Sequence, residues 1–233
     1  MKGWWGAVAF LTRWPVANAS LEGMLWFFAP VGLVYGGLAY AVSLLKAWLP
    51  TGAVALLVVS VQVWVSGFLH LDGWADVWDA WAAPVERRDA ALRSSDIGAA
   101  GAAALVVAVA ALLVGTATAL KTAPWAVWLA PVAGRVAMAG VVDLGPVRPD
   151  SRLLQRVRRT SPRGASLVGA GILAAAAVVL GGGRALADAG VALALTGGFV
   201  AWAVRWLGGA NGDVAGAAGV LAEMLVLWGG MLR

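Results

Sequence analysis

Residues 66–101 of the chain read SGFLHLDGWADVWDAWAAPVERRDAALRSSDIGAAG. This stretch contains the only histidine, His70, and six of the twelve acidic residues. Apolar runs precede and follow it, and acidic side chains are costly next to lipid. We therefore interpret the stretch as the functional region, and the apolar runs on either side of it as a helical scaffold in a membrane.

The composition excludes several classes of protein and of site. The chain has 233 residues, of which 61% are hydrophobic and 12% charged, whereas a soluble domain carries about 25% charged residues. It has no cysteine and one histidine, which excludes disulfides, cysteine zinc sites and histidine-rich metal sites. The remaining metal ligands are carboxylate oxygens, which suit a hard cation such as Mg²⁺.

The formal net charge is +5, which in a membrane protein is typical of topology signals and of contact with anionic lipid. We therefore expect membrane lipid as a partner and no nucleic acid. The N-terminal sequence MKGWWGAVAFLTRWPV has no small-residue cleavage site of the signal-peptide kind. It predicts a tryptophan-rich helix that lies in the membrane interface.

Apolar runs near the length of a membrane span, about 20 residues, recur along the chain. We predict an all-α polytopic integral membrane helical bundle with about seven spans, preceded by the interfacial helix, in a single domain of residues 1–233. The predicted spans are Leu25–Trp48, Ala53–Leu69, Gly98–Leu120, Trp125–Leu144, Ala165–Leu180, Ala189–Leu207 and Val214–Leu232.

Basic residues indicate the orientation of these spans. One side receives twelve of the seventeen lysines and arginines, together with the N-terminus, the acidic motif (residues 70–97) and an arginine-rich loop (residues 145–164). The positive-inside rule places that side in the cytoplasm. We expect a multi-pass protein of the cell (plasma) membrane whose active site faces the cytoplasm.

Three aspartates of the acidic motif have helical spacing. If the second span continues as a helix, Asp72, Asp76 and Asp79 share one face, and three tryptophans share the opposite one. Stacked carboxylates repel one another unless a cation lies between them, and two metal ions would suit an in-line phosphoryl displacement. This favours a metal site formed by the three aspartates. A solvated acidic helix end is the alternative.

Other polar groups lie at predicted helix starts. Ser94, Ser95 and Asp96 precede the third span, and Asp213 begins the seventh. Each of these positions suits helix capping. Asp96 and Asp213 are also candidates for further metal ligands.

Three ionisable residues fall within or beside spans, where charge needs a partner. Arg135 is interpreted either as a phosphate-binding group or as half of a structural ion pair, for example with Asp143. Glu223 lies well inside the last span and is expected to have a function. His70 is interpreted as a general base, as an orienting group or as a structural histidine.

Several segments, in chain order, resemble the cobalamin synthase family (adenosylcobinamide-GDP ribazoletransferases). The most specific is HLDGWAD (70–76) with Asp79 beyond it, which is similar to that family's HLDGLADTxDG, followed by RSSDIGAAG (93–101). The others are FLTRWPV (10–16), PVG (30–32), Arg135 in the fourth span, and GD (212–213) with GA (216–217). The chain departs from the family pattern at Ala80, Ser94, Asn211 and Val220, and in the arginine-rich residues 148–159.

The resemblance implies a reaction and a set of roles. It implies Mg²⁺-assisted transfer between adenosylcobinamide-GDP and α-ribazole or its 5′-phosphate, giving adenosylcobalamin or its phosphate and GMP. The implied roles are metal ligation by Asp72, Asp76, Asp79, Asp96 and Asp213, catalysis by Asp76, Asp79 and His70, and substrate binding by Arg13, Gly73, Ser95, Arg135 and Glu223.

Two other functions have distinguishable signatures. CDP-alcohol phosphotransferases of lipid synthesis carry the signature D-x-x-D-G-x-x-A-R. In this chain Asp72 and Gly73 are followed by Ala75 and then Asp76 instead of arginine, so the signature is absent. A secondary transporter would also use intramembrane charges and broken helices, and such folds show internal repeats that this sequence lacks. The sequence leaves a homo-oligomer open.

Overall fold

The computed structural model describes residues 2–17 and 19–231. This part of the chain is α-helical and contains no β-strand. The all-α prediction is therefore confirmed. Short 3₁₀ turns cover Met24–Phe27, Leu44–Ala47 and Val85–Arg87. The α-helices are α1 (Lys2–Leu11), α2 (Phe28–Ser43), α3 (Thr51–Val65), α4 (Leu69–Ala82), α5 (Arg88–Ala91), α6 (Ala99–Thr122), α7 (Pro124–Leu144), α8 (Arg152–Thr160), α9 (Ala165–Leu207) and α10 (Gly212–Gly229).

Five helical segments of the described residues are long and apolar enough to cross a membrane, and α3 with α4 makes a sixth if that bent pair is one span. One of the five, α9, has 43 residues and a break at Gly182, where φ is 66°. At 1.5 Å per residue it would extend about 65 Å, roughly twice the apolar thickness of a bilayer. Counting its two arms separately, and counting α3 with α4 as one span, gives seven crossings, the number predicted. Leu232 and Arg233, at the end of the predicted last span, lie outside the described residues.

Contacts with α7 show that the two arms of α9 form a hairpin. Asp143, near the end of α7, accepts hydrogen bonds from the backbone N–H groups of Gly164 and Ser166, both at 3.1 Å. The break in α9 lies at the other end of α7, where a β-carbon at Gly181 would be 2.9 Å from Trp125. The second arm then returns, because the Leu207 carbonyl accepts a 2.9 Å hydrogen bond from Arg148, just beyond α7.

Helix α7 is the centre of the bundle and packs against α2, α9 and α10. Small residues bring α2 unusually close to it. A β-carbon at Gly32 would lie 2.9 Å from the α-carbon of Val132, and one at Gly36 would overlap the carbonyl oxygen of Trp128. In a membrane, where association depends on such packing, glycine at an interface allows backbones to touch.

The acidic motif does form a helix, but not as a straight continuation of the second span. Helix α3 ends at Val65, and α4 begins at Leu69 at an angle of 86° to it. Gly67 and Phe68 both adopt left-handed conformations, with φ values of 65° and 66°, and this turns the chain. The periodicity was nevertheless right, because the three aspartates all lie on α4.

The arginine-rich segment, predicted as a loop, contains helix α8. Leu154 and Val157 are each about 1% exposed, and they anchor the helix to the bundle. The loop interpretation missed that apolar residues and arginines alternate here with a helical period.

We expect Gly36→Ala to lower the free energy of unfolding by about 1–3 kcal/mol, because the added methyl group forces α2 away from α7. Thermal unfolding in detergent would measure this. Gly37→Ala is the matched control, since a β-carbon there would lie 3.8 Å from Trp128 Nε1, an ordinary contact. Equal melting temperatures for both variants would contradict the proposed close packing.

Candidate active site

Helices α4 and α10 pack backbone against backbone, which places their polar ends side by side. A β-carbon at Gly73 would lie 2.9 Å from the α-carbon of Asp213. One turn further along α10, a β-carbon at Gly216 would lie 3.3 Å from the α-carbon of His70. The glycine in HLDGWAD therefore allows this helix contact, and the substrate-binding role of Gly73 stays a prediction.

The contact gathers four aspartates, Asp72, Asp76, Asp79 and Asp213, which we call the acidic cluster. Asp76 is partly buried and lies about one turn from Asp72 and from Asp79 on α4, and Asp213 faces α4 at Gly73. Within residues 2–17 and 19–231, no three acidic or histidine side chains are close enough to form a ready-made metal site. The cluster is thus a concentration of negative charge whose members stay apart.

Asn211, which the sequence interpretation passed over, caps α10. Its Oδ1 accepts a 3.0 Å hydrogen bond from the Val214 N–H, and its Nδ2 donates to Asp213 Oδ2 at 2.6 Å. The capping role considered for Asp213 therefore belongs to Asn211. Asp213 is instead held in place beside α4, with its other carboxylate oxygen outside this bond.

Asp79 connects α4 to the start of α6. Its carboxylate accepts hydrogen bonds from the backbone N–H groups of Gly98 and Gly101, both at 2.7 Å. A carboxylate at this position satisfies otherwise unpaired N–H groups and complements the helix dipole. A β-carbon at either glycine would overlap the Asp79 carboxylate, which explains the two glycines of DIGAAG. The bonds occupy one lone pair on each oxygen, and ligation or catalysis by Asp79 stays a prediction.

The capping role considered for Ser94–Asp96 is consequently wrong, because α6 receives its cap from a different helix. Ser95 and Asp96 lie in an exposed loop. The Asp96 N–H donates to Ser94 Oγ at 3.0 Å, a bond local to that loop. Asp96 lies two residues before Gly98, whose N–H donates to Asp79 of the acidic cluster, and its role as a metal ligand stays a prediction.

Arg148 ties together the segments that border the cluster. It donates to Asp89 and Asp150, both at 2.9 Å, as well as to the Leu207 carbonyl. Arg93 reaches Asp150 at 3.0 Å. Hydrogen bonds from Arg148 and Arg93 lower the pKa of Asp150 to about 2, so the network stays charged at any physiological pH.

This Arg148 network lines a polar cleft of about 140 Å³ that also includes Ser151 and Asn211. The positive charge of Arg148 acts on Asp213, so the cleft borders the acidic cluster. The sequence signal for this cleft is weak. Arg148 and Asp150 are two residues apart, but their partner Asp89 is 59 positions from Arg148.

Arg135 is buried within the bundle, about 1% exposed, and forms an ion pair with Glu223. Its guanidinium also lies 4.0 Å from the centre of the Tyr35 ring. Of the two roles considered for Arg135, the structure thus shows an ion pair, with Glu223 as partner. Asp143, the partner suggested from sequence, instead holds the start of α9.

The remaining predicted residues lie around the cluster rather than in it. His70 is buried on the side of α4 that faces α10, and Arg135 acts on its charge. Its Nε2 has no hydrogen-bond partner among the described residues. Arg13 is exposed at the α3–α4 turn, with its guanidinium 4.8 Å from the centre of the Trp64 ring. The predicted roles of both residues stay predictions.

Comparison with known proteins identifies the family to which this architecture belongs. Residues 3–231 match the cobalamin-5-phosphate synthase family. The chain belongs to that family. No solved structure matches it.

Curated relatives carry the name adenosylcobinamide-GDP ribazoletransferase. The Pseudomonas entomophila (strain L48) protein is 35% identical, and the alignment covers 98% of each chain. The protein of Pseudomonas savastanoi pv. phaseolicola is 34% identical over 97% of this chain and 98% of its own. The Prochlorococcus marinus (strain MIT 9303) protein is 38% identical, but over 59% of this chain and 54% of that relative.

Replacement of Asp79 by alanine should destabilise the protein, because two N–H groups at the start of α6 lose their acceptor. Loss of a helix cap costs about 0.5–2 kcal/mol. Hydrogen exchange at Gly98–Gly101 and thermal unfolding would measure the effect. The matched control, Asp72→Ala, removes an exposed member of the same cluster and should not destabilise it. Unchanged exchange in Asp79→Ala would contradict the cap.

Proposed function

We propose that this protein joins adenosylcobinamide-GDP to α-ribazole or α-ribazole 5′-phosphate, producing adenosylcobalamin or its 5′-phosphate and GMP. Family membership and the names of the full-length relatives support the substrates. The observation that carries the chemistry is the acidic cluster at the α4–α10 contact, beside the Arg148 network. Together they provide groups for a hydroxyl nucleophile and for an anionic phosphate ester.

The reaction exchanges one phosphate ester for another. A ribazole hydroxyl oxygen forms a bond to the corrinoid-side phosphorus, while the bond from that phosphorus to the bridging oxygen breaks and GMP leaves with that oxygen. The hydroxyl proton passes to a base. Such displacements depend on positioning and on neutralisation of phosphate charge, and they need no protein nucleophile.

Asp76 is our proposed base among the three catalytic residues predicted from sequence. It lies partly buried on α4, about one turn from Asp72 and from Asp79, so it is the central carboxylate of the cluster. Asp79 is engaged with the start of α6. His70 is buried where α4 packs against α10, and among the described residues nothing hydrogen-bonds its Nε2.

The donor chemistry of the cluster fits Mg²⁺. Asp72, Asp76 and Asp213 offer only oxygen ligands, and their mutual repulsion would be relieved by a cation. Mg²⁺ characteristically uses one or two carboxylates together with waters and substrate phosphates, so a cluster without a preformed three-ligand site suits it. When bound, the ion would neutralise charge on the reacting phosphate.

Anionic groups of the substrate need cationic partners from the chain. Arg148 lines the cleft that borders the cluster, and Arg13 is exposed at the α3–α4 turn. We propose Arg148 as a phosphate contact that also orders the rim of the site. Arg135 serves the bundle interior through Glu223.

We also propose that the acidic cluster faces the cytoplasm in the plasma membrane. The ends of α7 and α9 and the start of α10 meet at the side that carries α8 and the Arg148 network. That side holds most of the arginines, and cytoplasmic faces are enriched in basic residues. Soluble nucleotide substrates would then reach the site directly.

Purified protein should release GMP when it is given adenosylcobinamide-GDP, α-ribazole 5′-phosphate and Mg²⁺. Chelation with EDTA should stop the release, and added Mg²⁺ should restore it. Chromatographic quantification of GMP measures both steps. Folded protein that releases no GMP would exclude the proposed reaction, and release that persists in EDTA would exclude the role of the metal alone.

Asp76→Asn should reduce kcat by about 100-fold or more, because a positioned base contributes roughly 10²–10⁴-fold. Asparagine preserves the shape of the side chain but does not accept the proton. Steady-state GMP release measures the loss. Asp188→Asn is the matched control, since Asp188 lies beside Gly229 at the opposite end of α10. Wild-type turnover by Asp76→Asn would exclude Asp76 as the base.

A further inference from the structure

Helix α8 presents a row of arginines on its outer side. Arg152, Arg156 and Arg159 follow the spacing of a single helix face, and all three are exposed. The opposite face carries Leu154 and Val157, which are buried. The helix is therefore fixed to the bundle by its apolar side, and its charged side is free to contact something outside the protein.

Carboxylates of the described residues do not neutralise this row. Arg152, Arg156 and Arg159 form no ion pair within residues 2–17 and 19–231. The nearest acidic residues in the chain are already engaged, because Asp143 binds the start of α9 and Asp150 binds Arg148 and Arg93. The row thus forms no ion pair with the acidic residues that precede α8 in the chain.

Arg156 and Arg159 also line a wide recess of about 710 Å³. Its other wall is the segment 19–22, which connects α1 to the first span. The wall is held in place because the Gly23 N–H donates to the Thr160 carbonyl at 3.0 Å. Glu22 is the one acidic residue in the lining, so the recess retains a net positive charge.

The recess belongs to a different part of the bundle from the acidic cluster. Leu154 and Val157 pack in a hydrophobic cluster with Ala7 and Leu11 of α1. The apolar residues of α4, in contrast, belong to the main core cluster. The reacting phosphate of the substrate would lie with α4, so α8 needs another source of anionic groups.

The position of α8 along the bundle indicates where these anionic groups come from. The helix connects the end of α7 to the start of α9, and both of these are candidate spans, so it lies where spans leave the membrane. Trp5 and Trp14, at the beginning and beyond the end of α1, are 48% and 69% exposed. Exposed tryptophan is characteristic of the membrane interface, where its ring lies among lipid headgroups.

We propose that α1 and α8 form a binding surface for anionic phospholipid, with Arg156 and Arg159 contacting headgroup phosphates and the α1 tryptophans lying among the headgroups. Arginine forms paired hydrogen bonds with phosphate oxygens, and anionic leaflets attract basic segments beside membrane spans. The surface is separate from the proposed catalytic site and does not depend on the proposed reaction.

The test measures the melting temperature of the full-length protein in phosphatidylcholine micelles while phosphatidylglycerol is added. We expect phosphatidylglycerol to raise the wild-type melting temperature in a saturable way. In Arg156→Gln/Arg159→Gln, half-saturation should need about 25-fold more phosphatidylglycerol, or about fivefold for each arginine. Arg156→Lys/Arg159→Lys, which keeps the charge but loses the paired geometry, should fall between the two.

The matched control is Lys121→Gln/Arg205→Gln, which removes two positive charges from exposed positions outside α8. It should retain wild-type half-saturation. Equal half-saturation in the wild type and in Arg156→Gln/Arg159→Gln would overturn the proposal. A second result would also overturn it. If Arg156→Gln/Arg159→Gln had a higher KM for adenosylcobinamide-GDP in pure phosphatidylcholine and an unchanged lipid response, the two arginines would bind substrate phosphate.

Discussion

The ion pair between Arg135 and Glu223 is the constraint on which the centre of this bundle depends. It joins α7 to α10, and the Arg135 guanidinium also lies against the Tyr35 ring of α2. Removing one partner of a buried pair leaves an uncompensated charge, which costs several kcal/mol. The helices that carry these groups can therefore pack together in few other ways. The contact of α4 with α10, which gathers the acidic cluster, is part of this packing.

Local patterns in the sequence predict much of this structure. Hydrophobic runs locate the spans because lipid requires long apolar helices, and the spacing of Asp72, Asp76 and Asp79 places them correctly on one helix. From sequence, the glycines of HLDGWAD and DIGAAG are parts of the motifs that resemble the family. The structure gives their reasons: one admits the backbone of Asp213, and two make room for the Asp79 carboxylate.

What the sequence could not predict depends on contacts between distant positions. The turn at Gly67 and Phe68 requires the backbone of Phe68 to be in a left-handed conformation, which no residue pattern in the sequence predicts. Asp79 caps a helix 19 residues further along the chain, although Ser94–Asp96 stand closer and have suitable side chains. Arg148 meets Asp89 across 59 residues, and the importance of Asn211 follows only from its bond to Asp213.

The break at Gly182 places a turn at the end of the bundle opposite the acidic cluster, so that the two ends can be modified separately. The hairpin formed by α9 carries the chain from the side of the acidic cluster to the far end of α7 and back. Gly183 is exposed at that far turn with open space around its α-carbon, and the chain contains no native cysteine. A single cysteine introduced at Gly183 would therefore be the molecule's one thiol, a point of attachment for probes or surfaces at the end of the bundle away from the acidic cluster.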